Sequence, residues 1–118
     1  MIHIMDGEWE YKKIGPSKIN ITKLFGLIKN RKLEPICLNI NDIAYKSLDS
    51  IDVHGVRYKV ADENFPLIVV QDMENPHNKK YRMIDGRHRL KKQLNSGNTE
   101  LLFYVLKESD VLPYIEKL

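Results

Sequence analysis

The stretch Met83-Ile84-Asp85-Gly86-Arg87-His88-Arg89-Leu90-Lys91-Lys92-Gln93-Leu94 constrains this chain more than any other. Ahead of it, Tyr81-Arg82-Met83-Ile84 alternates as a strand does. Asp85 is of a type that caps helix N-termini, and Leu90 and Leu94 lie four apart, on one helical face. Ser96-Gly97 supplies the stop. The segment therefore predicts strand, tight turn, helix. Its charges oppose the helix dipole. Arg87, His88 and Arg89 fall in the first turn, where backbone N–H groups lack partners and the field is already positive. Exposed cations there cost roughly a few tenths of a kcal/mol each. A bound anion would reverse that sign, and Gly86 would let it approach the backbone. The plainer alternative is that Asp85 caps the helix and the basic side chains face water.

The Ile84-Asp85-Gly86-Arg87-His88-Arg89 run resembles the signature of the ParB/sulfiredoxin superfamily. The ParB branch carries Gly-Glu-Arg-Arg at this turn and the sulfiredoxin branch Gly-Cys-His-Arg. Gly86 and Arg89 match both, and His88 matches the second. Many uncharacterised bacterial and phage members carry a strand ending in Asp-Gly-Arg-His-Arg-Leu, as here. The likeness extends back through Pro66–Val70, similar to the strand before the signature, and through Leu48–Gly55, similar to a short helix ahead of it. It extends forward to the strand Leu101–Leu106, and covers roughly Ile36 to Leu106. It implies a small α+β domain with a mixed sheet and packed helices, as a minimal single-domain member.

The resemblance also implies a site. In the superfamily this turn holds the phosphates of a nucleotide, ATP or CTP, usually with Mg²⁺. Gly86, Arg87, His88 and Arg89 are carried over as the phosphate-contacting group, with Arg89 the expected direct ligand. Asp85 either orients Arg89 or caps. The sulfiredoxin cysteine would fall at Arg87, so the thiolate that chemistry needs is missing. The DNA-reading and dimerisation segments of partition ParB proteins have no room in 118 residues. Three readings follow: a nucleotide-binding domain with or without slow hydrolysis or phosphoryl transfer; a metal-dependent ParB-like DNase; and a non-enzymatic module contacting a phage or host protein. For the nuclease, Asp85 is the candidate catalytic residue, and Asp72 and the acids at 49–63 are candidates for the metal.

Composition excludes little. The net charge of +3 permits an anionic partner without requiring one. No run approaches the ~20 apolar residues a membrane span needs. The start of the chain lacks the pattern of a signal peptide, so the expected place is the cytoplasm of a bacterium or of a phage-infected one. The single cysteine, Cys37, cannot form an internal disulfide, and its flanks Pro35-Ile36-Cys37-Leu38 predict a buried structural thiol.

In chain order, Glu8–Ile14 alternates as a strand, with Trp9 and Tyr11 on one side as packing residues or as a stacking platform for bases. After the turn Gly15-Pro16-Ser17, Asn20 or Ser17 caps a helix carrying Ile21, Leu24, Phe25, Leu27 and Ile28. Lys18, Lys23, Lys29, Arg31 and Lys32 give it a basic outer side, solvated by default and DNA-facing in the alternative. Leu33–Ile40 predicts a strand and Asn41–Leu48 a short helical stretch. Asp49, Asp52, His54, Asp62 and Glu63 match no metal motif, and 49–64 reads as an irregular loop. The loop Glu74–Lys79, with His77 at its tip, makes its flanking strands antiparallel neighbours. A helix carrying Leu112, Tyr114, Ile115 and Leu118 is expected to close the chain.

Overall fold

The structure is a computed structural model of the chain and describes residues 2–5, 17–62 and 64–117. The expected strand at Glu8–Ile14, with Trp9 and Tyr11, lies outside the described residues, as do Glu63 and Leu118.

The architecture is mixed α and β. Two strands come first, β1 (Ile2–Met5) and β2 (Ser17–Asn20), followed by helix α1 (Ile21–Asn30). Strand β3 (Ile36–Asn39), a 3-10 turn over Ile40–Asp42 and the two-residue strand β4 (Ile43–Ala44) follow. Next come α2 (Val56–Val60), β5 (Leu67–Gln71), β6 (Tyr81–Asp85) and α3 (Arg87–Asn95). The chain then runs through β7 (Glu100–Lys107), α4 (Glu108–Val111), a 3-10 turn over Leu112–Tyr114 and β8 (Ile115–Lys117).

A five-stranded mixed sheet has the order β3-β7-β5-β6-β4. Strand β5 is antiparallel to β6, as the intervening loop predicts, and parallel to β7. Alternation along β5 builds two cores, one on each face. Ile68 and Val70 join Ile21, Leu24 and Ile28 of α1, whereas Leu67 and Val69 join Met83, Phe103 and Leu90 of α3. All four β5 side chains are at most 2% exposed, so the unbroken apolar run Leu67–Val70 fits a central strand covered on both sides. Leu90 is fully buried; Leu94, expected beside it, is half-buried at the rim of the same core. A smaller antiparallel sheet, β1-β2-β8, adjoins α1.

Several expectations change. Asn20 alone caps α1, its Oδ1 accepting from Lys23 N at 3.1 Å, while Ser17 opens strand β2. The helical stretch expected over Asn41–Leu48 ends with the 3-10 turn at Asp42: Ile43 and Ala44 pair in parallel with Tyr81 and Arg82, putting their β-branched and small side chains in the core. The short helix lies at Val56–Val60, later than Leu48–Gly55 and inside the stretch read as loop. The closing helix stops at Val111, because Pro113 cannot continue it, and Ile115 pairs with Ile19 as a strand. Cys37 is exposed rather than buried. It lies on edge strand β3 opposite Leu102, itself 46% exposed, so the described residues leave that corner of the sheet uncovered.

Among the described residues, no helix is long and apolar enough to cross a membrane.

Candidate functional site at the β6–α3 turn

Strand β6 delivers the buried Asp85 to the sheet end, and the chain then turns through Gly86 at φ 110°, ψ 24°. Gly86, not Asp85, occupies the N-cap position of α3, and no side chain caps that helix. Asp85 Oδ2 accepts from Arg89 Nη2 at 2.7 Å, the contact by which it orients Arg89. Glycine is required here twice over. The positive φ disfavours any other residue, and a Cβ would stand 2.5 Å from Leu67 Cδ2 and 3.1 Å from Arg89 Nη2. That side of Gly86 is filled, so an anion has to approach from the N–H side of the turn.

The three basic residues differ in environment. Arg89 lies between the Asp85 carboxylate and the Phe65 ring, whose centroid is 5.3 Å from its guanidinium carbon. Phe65 in turn meets Phe25 of α1 edge-on at 5.7 Å. Arg87 reaches across to the chain after β4, donating from Nη2 to Ser47 O at 2.8 Å and to Ser50 Oγ at 3.2 Å. Neither acceptor carries a formal charge, so Arg87 keeps its positive charge unbalanced. The Nε atoms of Arg87 and Arg89 are both buried without a hydrogen-bond partner. His88 is half-buried, and burial, then the fields of Arg57 and Arg87, hold its imidazole below the usual histidine range.

Arg57 comes from α2, which buries no residue of its own and is held to α3 by polar contacts. Lys92 Nζ donates to Lys59 O and Ala61 O, both at 2.9 Å, at the negative end of α2, and Asn95 Nδ2 lies 3.1 Å from the Tyr58 hydroxyl. Around Gly86, Arg87, His88 and Arg89 the fold brings Arg57, Ser47, Ser50 and Phe65. No local motif marks these four, because each arrives from a distant segment.

An open cleft of about 410 Å³ lies nearby, lined by the apolar Ile40 and Ile43 and by Asn41, Tyr45, Ser47, His77 and Lys79. None of residues 85–89 lines it. Ser47 is the link, lining the cleft while its carbonyl receives Arg87.

Other candidates disperse. Among the described residues no three His, Cys, Asp or Glu side chains gather to hold a metal. Asp52 and Asp62 accept backbone N–H bonds from His54 and Asn64, two residues on, as turn-forming residues do. Asp72 sits at φ 60° where the loop leaves β5. The basic side of α1 is partly neutralised, with Arg31 2.7 Å from Asp110 and the neighbouring Lys18 3.6 Å from Glu116. Arg82, 2% exposed, donates to Glu74 O and ties down the 72–80 loop. No protein-family model, curated protein or solved structure matches the chain.

Proposed function

We propose that this chain is a nucleotide-phosphate-binding domain of the ParB/sulfiredoxin kind, and that the ligand's phosphates bind at the N-terminus of α3. One observation carries the reading: a nine-residue helix begins without a side-chain cap, amid Arg57, Arg87 and a partly buried, neutral-leaning His88. Without an anion that arrangement sets cations against a positive helix end. With one, the free N–H groups of the first turn and the Arg87 guanidinium all become donors to oxygen. Arg89 supports the site from behind: paired with Asp85, it fixes the turn more than it offers charge. ATP or CTP is the proposed ligand class, on the strength of the signature at Ile84–Arg89. Mg²⁺ would accompany the phosphates, held chiefly by their oxygens and by water.

The nuclease reading receives less support, since Asp85 is already paired and the loop acids are not gathered. A role as a contact module for DNA or for a phage or host protein remains the reading to adopt if no nucleotide binds.

Thermal unfolding with ATP, CTP, GTP, tripolyphosphate or short DNA, each with and without Mg²⁺, tests the proposal. Ligand at about 100 times its Kd stabilises the native state by about 2.7 kcal/mol. A nucleotide or tripolyphosphate should raise the midpoint, and Arg87→Ala should reduce that rise. No shift with any phosphate compound would overturn the reading.

A further inference from the structure

The cleft beside β4 is not part of the phosphate turn, yet Ser47 belongs to both. In the parallel β4–β6 pairing Ile43 lies opposite Tyr81. The pairing ends at Ala44 opposite Arg82, and three residues on Ser47 is tied to the turn by the bond from Arg87 Nη2 to its carbonyl. Asn41, Ile43, Tyr45 and Ser47 all line the cleft. Asn41 comes from the 3-10 turn ahead of β4, Ile43 from β4 itself, and Tyr45 and Ser47 from the irregular segment after it. The cleft therefore lies beside β4 and reaches Ser47, the residue on which the Arg87 guanidinium of the phosphate turn is anchored.

Its chemistry is that of a site for a flat, polar-edged ring. Ile40 and Ile43 give an apolar lining, and Tyr45 offers an aromatic face. Asn41 is exposed, and its carboxamide presents a donor and an acceptor side by side. Lys79 and Ser47 add polar groups, and the lining contains no carboxylate. A volume of about 410 Å³ falls within the ~300–1,000 Å³ typical of small-molecule pockets.

We propose that this cleft receives the base and sugar of the ligand whose phosphates bind at α3, with Tyr45 against the base and Asn41 reading its edge. The inference rests on the phosphate reading above, and the probes separate the two. Binding of ATP, CTP, GTP, UTP and tripolyphosphate is measured calorimetrically on the full chain and on Tyr45→Ala and Asn41→Ala. Asn41 is exposed, so its variant is expected to fold even if loss of the half-buried Tyr45 ring does not allow it. At least one nucleotide should bind about ten-fold or more tighter than tripolyphosphate, the size expected of one base stacked on an aromatic ring. Asn41→Ala should narrow the preference among the four nucleotides, Tyr45→Ala should remove most of their advantage, and neither should change tripolyphosphate affinity. Equal affinity for tripolyphosphate and all four nucleotides, or nucleotide affinities unmoved by both substitutions, would overturn the cleft assignment and leave the phosphate site standing. If tripolyphosphate and every nucleotide fail to bind, the phosphate reading falls and takes this one with it.

Discussion

Asp85 and Arg89 straddle the junction of β6 and α3, their side chains meeting at 2.7 Å and exposed to 7% and 20% respectively. This pair changes what an Arg89 substitution reports. From charge placement alone, removing a cation from a helix N-terminus should leave stability unchanged or raise it. With Asp85 buried against it, Arg89→Ala instead strands a carboxylate. A loss toward the lower end of the ~3–5 kcal/mol typical of a broken buried pair is expected, since Arg89 keeps some access to water. Urea denaturation should show this, and Asp85→Ala combined with Arg89→Ala should be less destabilising than the two single effects added. Additive losses would show that the pair is not coupled.

Gly86→Ala should destabilise for two separable reasons. The φ of 110° costs a non-glycine residue about 1–3 kcal/mol, and the new Cβ meets Leu67 Cδ2. Leu67→Ala alone opens a core cavity costing about 2–5 kcal/mol, and in the Gly86→Ala background it should cost less than that by the steric part only. Unchanged stability in Gly86→Ala would mean that the turn is not built as described.

His88 supplies a pH test. Burial first, then Arg57 and Arg87, lower its folded pKa from 6.5, so the folded chain holds this proton less readily than the unfolded one. The His88 contribution to stability is then fully present above about 6.5 and is lost as pH falls through the lower, folded value. A phosphate bound at the turn favours the charged imidazole. Saturating tripolyphosphate should therefore raise the His88 titration midpoint in NMR, and affinity should strengthen as pH falls through this range. An unmoved or lowered midpoint would place the anion away from His88.

Cys37 should react with an aromatic disulfide reagent in the folded protein at a rate close to that of the unfolded chain, because it is exposed on edge strand β3. Cys37→Ser should leave phosphate binding unchanged. Protection that disappears only on unfolding would contradict the exposed position.

The parts legible in the sequence are those whose pattern is local. Leu67–Val70 reads as a buried strand because it is apolar throughout, and Ile21, Leu24 and Ile28 recur at helical spacing. The strand-turn-helix at 81–95 follows from alternation, a glycine and a leucine repeat. Strands β2, β4 and β8 did not show, since runs of two to four residues carry too little periodicity and their partners lie far away in sequence. Cys37 misled because an apolar flank reports hydrophobicity, not whether another layer covers that edge. At the site, Gly86 through Arg89 were visible as a run, but the partners that distinguish them were not. Phe65 for Arg89, Ser47 and Ser50 for Arg87, and Arg57 for His88 meet the turn only through the tertiary fold.

The central claim is that phosphate oxygens bind the first turn of α3. The most direct test is to titrate ¹⁵N-labelled protein with tripolyphosphate, then with ATP and CTP, and to follow backbone amide resonances. The largest saturable shifts are expected at Arg87, His88 and Arg89, with marked weakening in Arg87→Ala. Amides of the α3 turn that stay unmoved at millimolar ligand, or shifts concentrated on the basic side of α1 instead, would contradict it.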